Sequence, residues 1–246
     1  MFFILKNRDR AHNFDFSFLH ADMHSHLLPG LDDGLAEKNE TLYFFRKMQM
    51  LGFRKLICTP HIMNGLYNNS PSKIISTLSD IKKDSAFKSL SIEVGVGAEY
   101  MIDSEFGRLL EAKNEILSWG NNYVLIEMSY VAKPPNFNEV IFKLLVNGYQ
   151  PVLAHAERYC NFLHNIKEYE SIKNKGCLLQ LNLLSLSGYY GKTIKKVSEE
   201  LIKRKMIDFA GSDIHHLAHL NALEKMLNNK KLMYELKGYP FLNSAL

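Results

Sequence analysis

His24 and His26 stand a single residue apart in the segment Asp22-Met23-His24-Ser25-His26. On an extended strand alternate side chains share one face, so both imidazoles can reach the same cation. Asp32 and Asp33 follow in a Leu-Pro-Gly-Leu-Asp-Asp-Gly stretch. Imidazole and carboxylate donors together suit zinc, manganese or iron. A lone His-x-His pair is a weak signal. It gains weight because groups of the same kind recur further along the chain.

Those recurrences follow short apolar runs that read as strands, near 21–24, 54–58, 91–97, 123–127, 151–155, 177–181 and 207–211. Helical patterns lie between them. Phe137, Val140, Ile141, Leu144 and Leu145 repeat with helical spacing, and Gly148 marks a stop. Ile194, Val197, Leu201 and Ile202 form a second stripe, and Phe44, Met48 and Leu51 a third, ahead of Gly52. The stretch Asn64–Ser72 reads as a loop. Strands alternating with helices imply βαβ units and a parallel sheet. Seven units in succession point to a closed or nearly closed α/β barrel, with an open doubly wound sheet as the alternative. No glycine-rich dinucleotide fingerprint, P-loop or internal repeat is present.

In a parallel α/β barrel the C-terminal strand ends gather at one site. The first strand brings His24 and His26, with Asp33, or its neighbour Asp32, beyond it. The second delivers His61, the third Glu99, the fourth Glu127 and the fifth His155. The seventh delivers Asp213 and His215, and the sixth ends in the uncharged amides Gln180 and Asn182. The nine candidates His24, His26, Asp33, His61, Glu99, Glu127, His155, Asp213 and His215 exceed what one ion needs. Two or three ions sharing bridging carboxylates would use them all. His12, His20, His164, His216 and His219 read as structural histidines, and Trp119 as a packing residue.

The chain has 246 residues and is 46% hydrophobic, enough for one domain with a sizeable core. Residues 1–20 read as an N-terminal arm before a domain spanning 21–246. The apolar start is too short for a secretory segment, and no run approaches a membrane span. The net charge of +4 is dispersed, which argues against nucleic acid as a partner. Three cysteines without metal or redox spacing fit a reducing cytoplasm. A cysteine nucleophile for phosphate-ester chemistry calls for an arginine shortly after it, six residues on in the common loop. Asn64, Ile166 and Leu183 stand at those places after Cys58, Cys160 and Cys177.

The segments Asp22–Gly34, Thr59-Pro60-His61, Gly97-Ala98-Glu99-Tyr100, Val124–Glu127, Pro151–Tyr159 and Gly211–His215 resemble the polymerase-and-histidinol-phosphatase (PHP) superfamily. More closely, they are similar to its bacterial manganese-dependent protein-tyrosine phosphatases, the CpsB/YwqE-like group. The resemblance runs from about residue 20 to about 235. Two departures stand out. Ala156 replaces the usual proline in His155-Ala156-Glu157-Arg158-Tyr159, and His216–Leu220 lacks an arginine often found there.

The resemblance implies a distorted seven-stranded (β/α)7 TIM-like barrel holding three divalent ions, manganese by analogy, with iron or zinc acceptable to the same donors. It assigns His24, His26, Glu99 and Asp213 to the first ion. Glu99, Glu127 and His155 go to the second, and Asp33, His61 and His215 to the third. Hydroxide supplied near neutral pH would attack phosphorus, and Arg158 would stabilise the charge on the equatorial oxygens. The implied substrate is a phosphotyrosine protein, the tail of a bacterial tyrosine kinase that controls capsular or exopolysaccharide synthesis. Another phosphoesterase (a small-molecule phosphatase or nuclease) and a catalytically silent binding module are the competing expectations.

Overall fold

The computed structural model describes residues 14–112, 116–159 and 165–246. Among them the strands are β1 (Ala21–Ser25), β2 (Lys55–Cys58), β3 (His61–Ile62), β4 (Glu93–Val96), β5 (Glu99–Met101), β6 (Tyr123–Glu127), β7 (Gln150–Leu153), β8 (Leu178–Asn182) and β9 (Phe209–Gly211). They pair in parallel as two sheets, ordered β1-β2-β4 and β3-β5-β6-β7-β8-β9. The result is an α/β fold with a curled parallel sheet.

Each of the seven apolar runs carries a strand, but two of them are interrupted. The run at 54–58 breaks at Thr59-Pro60 and resumes as β3, and the run at 91–97 breaks at Gly97-Ala98 and resumes as β5. Pro60 has no N–H to give to a ladder. Two bonds bridge the gap: Gly97 N–H donates to the Cys58 carbonyl (2.9 Å) and Glu99 N–H to the Pro60 carbonyl (3.1 Å). The ladders therefore form two pieces of curled sheet rather than seven uninterrupted strands.

Residues after β9 return to β1. His26 N–H donates to the Ile214 carbonyl (3.0 Å), and Asp213 N–H donates to the His24 carbonyl (2.8 Å). At the other end of the strands the buried Asn243 does a similar job. Its amide donates to the carbonyls of Ala21 (2.9 Å) and Ala210 (2.7 Å) and accepts from Ala210 N–H (2.9 Å).

Val124, Leu125 and Ile126 are fully buried, because both faces of the sheet are covered. The helix Phe137–Val146 buries Phe137, Val140, Ile141 and Leu144 and is followed by Gly148 at φ 82°. Leu145, on the same apolar stripe, lies at its edge and is 36% exposed. The helix Lys38–Met50 starts where the Glu40 carboxylate accepts the N–H groups of Ala36 and Glu37 (3.3 Å each). The polar loop ends earlier than its composition implies. Ser70 caps the helix Pro71–Lys82 by accepting from Lys73 N–H, and Pro71 takes the first helical position.

Residues 14–20 pack into this core, whereas residues 1–13, His12 included, lie outside the described residues. Phe16 is fully buried and stacks on Phe53 with ring centroids 5.3 Å apart. Its N–H donates to the Leu51 carbonyl (2.7 Å). Phe16→Ala is expected to cost about 3–5 kcal/mol of unfolding free energy in urea melts. A cost near zero would mean that this segment does not belong to the folded unit.

Candidate metal centre

The strand ends converge as a parallel sheet requires. His24 lies on β1 and His26 just after it, His61 opens β3, Glu99 opens β5, Glu127 closes β6, and His155 follows β7. Asp213 and His215 follow β9, and Asp33 reaches in from the loop after β1. The strand breaks matter here, because His61 and Glu99 both stand immediately beyond one. His24, His26 and Glu99 form a fully buried floor. Asp33, His61, Glu127, His155, Asp213 and His215 line the cavity above it, about 590 Å³ in volume.

Hydrogen bonds fix which imidazole nitrogens face the centre. Gln180 Oε1 accepts the backbone N–H of His155 (2.6 Å), so the atom 3.1 Å from His24 Nδ1 is an oxygen and that nitrogen donates. His26 Nδ1 donates to Asp32 Oδ2 (2.7 Å). His215 Nδ1 donates to the Asp213 carbonyl (2.9 Å). In all three rings Nε2 is left with its lone pair available to a cation. The Nε2 atoms of His24 and His26 then face each other at 3.1 Å, an arrangement that calls for a cation or a shared proton.

Three groups of ligand atoms result, each with its atoms within 4.8 Å of one another: His24, His26, Glu99 and Asp213; His26, Asp33, His61 and His215; and His61, Glu99 and Glu127. In the first, Glu99 Oε2 lies 3.0 Å from His24 Nε2 and 3.2 Å from His26 Nε2, and Asp213 Oδ1 lies 3.4 and 3.5 Å from the same two atoms. An ion about 2.1 Å from each ligand spaces neighbouring ligands by roughly 3.0–3.4 Å. The buried His61 Nδ1 and Glu127 Oε1 are 2.8 Å apart yet make no hydrogen bond with proper geometry. Two orphaned donor atoms at that distance fit a cation better than they fit each other.

The electrostatics agree. Burial alone would pull the His24 imidazolium down, but Glu99 and Asp213 outweigh it and raise its pKa to about 9. Burial likewise opposes charge on His26, and Asp32 and Glu99 overcome it, so its pKa is also raised. Burial pushes the Glu99 and Asp213 carboxyls up, yet the surrounding imidazoles hold both below the ordinary carboxylate range. Without metal, protons on the imidazoles neutralise the carboxylates. Divalent ions would take over that role and leave neutral imidazole ligands.

Arg158 lies on the short turn after His155 and lines the cavity. Its Nη1 donates to Asp213 Oδ2 (3.0 Å), and its guanidinium carbon lies 4.9 Å from the Tyr130 ring and 4.3 Å from the Tyr190 ring. Asn182 binds both neighbours, donating to Asp213 Oδ2 (2.9 Å) and to the Tyr190 hydroxyl (3.2 Å). Glu157 holds the turn by accepting from Asn182 N–H (3.1 Å) and from the Ser185 hydroxyl. It does not pair with Arg158. His155 and Asp213 both adopt left-handed backbone, at φ 31° and 50°. Such strain in residues with side chains collects at functional sites.

All nine expected ligands, and Arg158, thus lie at one rim. The grouping differs from expectation: His26 joins Asp33, His61 and His215, and His61 stands where His155 was expected, facing Glu99 and Glu127 through Nδ1 and Asp33 through Nε2 (3.6 Å). His155 meets the cluster through Nε2, 3.0 Å from Glu99 Oε1. Of the two adjacent aspartates, Asp33 faces His61 and His215 and is 54% exposed. Asp32 is buried and spent on His26 Nδ1 and on the N–H groups of His61 and Gly34. Gly34 permits this loop, since a Cβ there would lie 2.1 Å from the His26 carbonyl oxygen.

The sequence did not disclose Gln180, Tyr130 and Tyr190 as partners of the site. Gln180 stands on β8 in the row of strand ends, as the sequence places it, and what the sequence hides is its bond to His24. His219 accepts from His215 N–H, and burial, reinforced by His216 and His215, lowers its pKa to about 4. Trp119 is buried in the core, whereas His164 and Cys160 lie outside the described residues. Burial pushes the thiols of Cys58 and Cys177 up to about 12, which leaves them unreactive.

The chain is 31% identical over 201 residues to the tyrosine-protein phosphatase YwqE of Bacillus subtilis, across 81% of this chain and 79% of that one. It is 27% identical over 202 residues to the tyrosine-protein phosphatase CpsB of Streptococcus agalactiae, across 80% and 83%. A solved structure described among those of YwqE from Bacillus subtilis and CpsB from Streptococcus pneumoniae, "unique metal-dependent tyrosine phosphatases", superposes with a TM-score of 0.75 at 30% identity. The match covers 87% of this chain and 90% of that one. Residues 20–234 match the family described as capsular polysaccharide synthesis, CpsB/CapC, and the chain belongs to that family.

Proposed function

We propose that this protein is a metal-dependent protein-tyrosine phosphatase that hydrolyses phosphotyrosine, with the tail of a bacterial tyrosine kinase in capsular or exopolysaccharide synthesis as its substrate. The observation that carries the reading is the convergence of His24, His26, Glu99 and Asp213 on one buried point beneath an open cavity. The names of the relatives support the substrate class. Free thiols at Cys58 and Cys177 support a cytoplasmic setting.

We assign three ions, manganese first among the metals these donors accept. His24, His26, Glu99 and Asp213 take the first; Glu99, Glu127 and His155 take the second. Asp33, His215 and His61 Nε2, with His26 beside them, take the third. We also read the two sheets as one distorted seven-stranded barrel with two interrupted strands, a reading that the parallel bridge between Ser25 and Ile214 supports.

Bound divalent ions supply Lewis acidity and make hydroxide available near neutral pH. The chain's residues do the rest. Arg158, held by Asp213, offers its remaining N–H groups to phosphoryl oxygens. Asp32, Gln180 and the Asp213 carbonyl hold three imidazoles with their lone pairs inward. Phenolate is a tolerable leaving group because the pKa of tyrosine is about 10.

Phosphate release from a phosphotyrosine peptide is expected with manganese and is expected to cease under excess chelator; activity that survives full metal removal would refute the reading. His26→Ala is expected to lose roughly 100-fold or more in turnover while keeping its circular dichroism spectrum. Asp32→Asn, which leaves the imidazole in place but weakens its orientation, is expected to lower metal affinity by about 10- to 100-fold in calorimetry. Manganese added to metal-stripped protein at pH 7 is expected to release protons, because His24, raised to about 9, is protonated there and must be neutral to bind. Measured affinity should therefore climb between about pH 6 and pH 9; a flat profile would contradict a protonated His24 in the metal-free site.

A further inference from the structure

A second cavity, about 330 Å³ in volume, opens beside the metal cavity. Its apolar walls include Ile62 and Met63 at the end of β3, Tyr100 on β5, and Phe106 and Leu109 on the helix Ser104–Glu111. Tyr100 and Phe106 are buried and stack at 4.7 Å. Met63 and Tyr67 line both cavities, so they form the partition between them. The partition is held on both sides. Met63 and Tyr67 exchange backbone hydrogen bonds (3.0 and 2.9 Å), and the Tyr67 ring lies nearly parallel to His61 at 5.4 Å. The Asn69 amide ties the turn down by donating to the carbonyls of His61 (2.8 Å) and Leu31 (2.7 Å).

Two acidic residues, Asp103 and Glu105, stand at this cavity, and each already has partners. Asp103 accepts Phe106 N–H (2.8 Å) on one oxygen and Asn64 N–H (3.1 Å) on the other. Glu105 is paired with Arg108. Asn64, Asn68 and Ser70 also stand at the cavity, but most of the surface on offer is apolar. Met63 and Tyr67 belong to both cavities, and an extended peptide advances about 3.3–3.6 Å per residue, so two or three residues give a reach of roughly 7–11 Å from a phosphotyrosine in the metal cavity.

We propose that this cavity is a substrate subsite that takes an apolar side chain close in sequence to the phosphotyrosine. The inference rests on the phosphatase reading. Its test is a set of phosphotyrosine peptides carrying Leu, Arg, Asp or Gly at each of the three places on either side, assayed with the intact, manganese-loaded protein beside p-nitrophenyl phosphate. At one of those places Leu is expected to raise kcat/KM about tenfold over Gly, with Arg no better than Gly. Leu109→Asp, and Leu109→Trp, which fills the cavity without adding charge, are expected to erase that preference and leave p-nitrophenyl phosphate turnover within about twofold. A flat peptide profile, a preference for Arg, or a Leu preference that survives both substitutions would overturn the subsite while leaving the phosphatase reading intact. No phosphate release from any substrate would remove that reading, and the subsite with it.

Discussion

Glu99 has no exposed surface, and its two oxygens touch imidazoles on every side described: His24 and His26 at 3.0 and 3.2 Å, His155 at 3.0 Å and His61 at 3.4 Å. Withdrawing a carboxylate from water costs several kcal/mol unless positive charge meets it. Everything else about the rim answers that demand. The imidazoles meet it with protons when no ion is present, which is why the His24 and His26 pKa values rise against the effect of their own burial. Divalent cations meet the same demand without occupying the nitrogen lone pairs with hydrogen. The site is therefore a set of charges arranged for an exchange of protons against metal.

Asp213 links this centre to the cavity wall. One oxygen faces the imidazoles, and the other is held by Arg158 and Asn182. Its left-handed backbone is the conformation that lets a residue bonded to β1 through its N–H also send its carbonyl to His215 Nδ1. Arg158 in turn packs against the rings of Tyr130 and Tyr190, which restrict where its guanidinium can lie. A displacement of Asp213 would disturb the buried imidazoles and Arg158 together.

The ligand types were legible in the sequence because chemistry-bearing residues follow seven apolar runs at similar places, and a parallel sheet has only one end at which to gather them. The rest depended on contacts that the chain order hides. Pro60 announces that a strand will stop but not that it will resume, although that interruption sets His61 at the cavity wall and Glu99 at its floor. Adjacent aspartates are equivalent in sequence, and only the turn at Gly34 decides that Asp32 lies beneath His26 while Asp33 faces the cavity. Gln180 meets His24 across 156 positions, a pairing that no local pattern encodes.

The seam between β1 and β9 also has a meaning for time. Asp22 accepts from both the backbone and the hydroxyl of Ser212, 190 positions away, and burial of that carboxyl raises its pKa to about 6. Contacts of such sequence separation carry a large loop-closure cost and slow folding. The nest that unites His24 with Asp213 cannot exist on a nascent chain that lacks its final strand. A growing polypeptide that has not reached Asp213 thus carries His24, His26 and Glu99 without the carboxylate that completes their cluster.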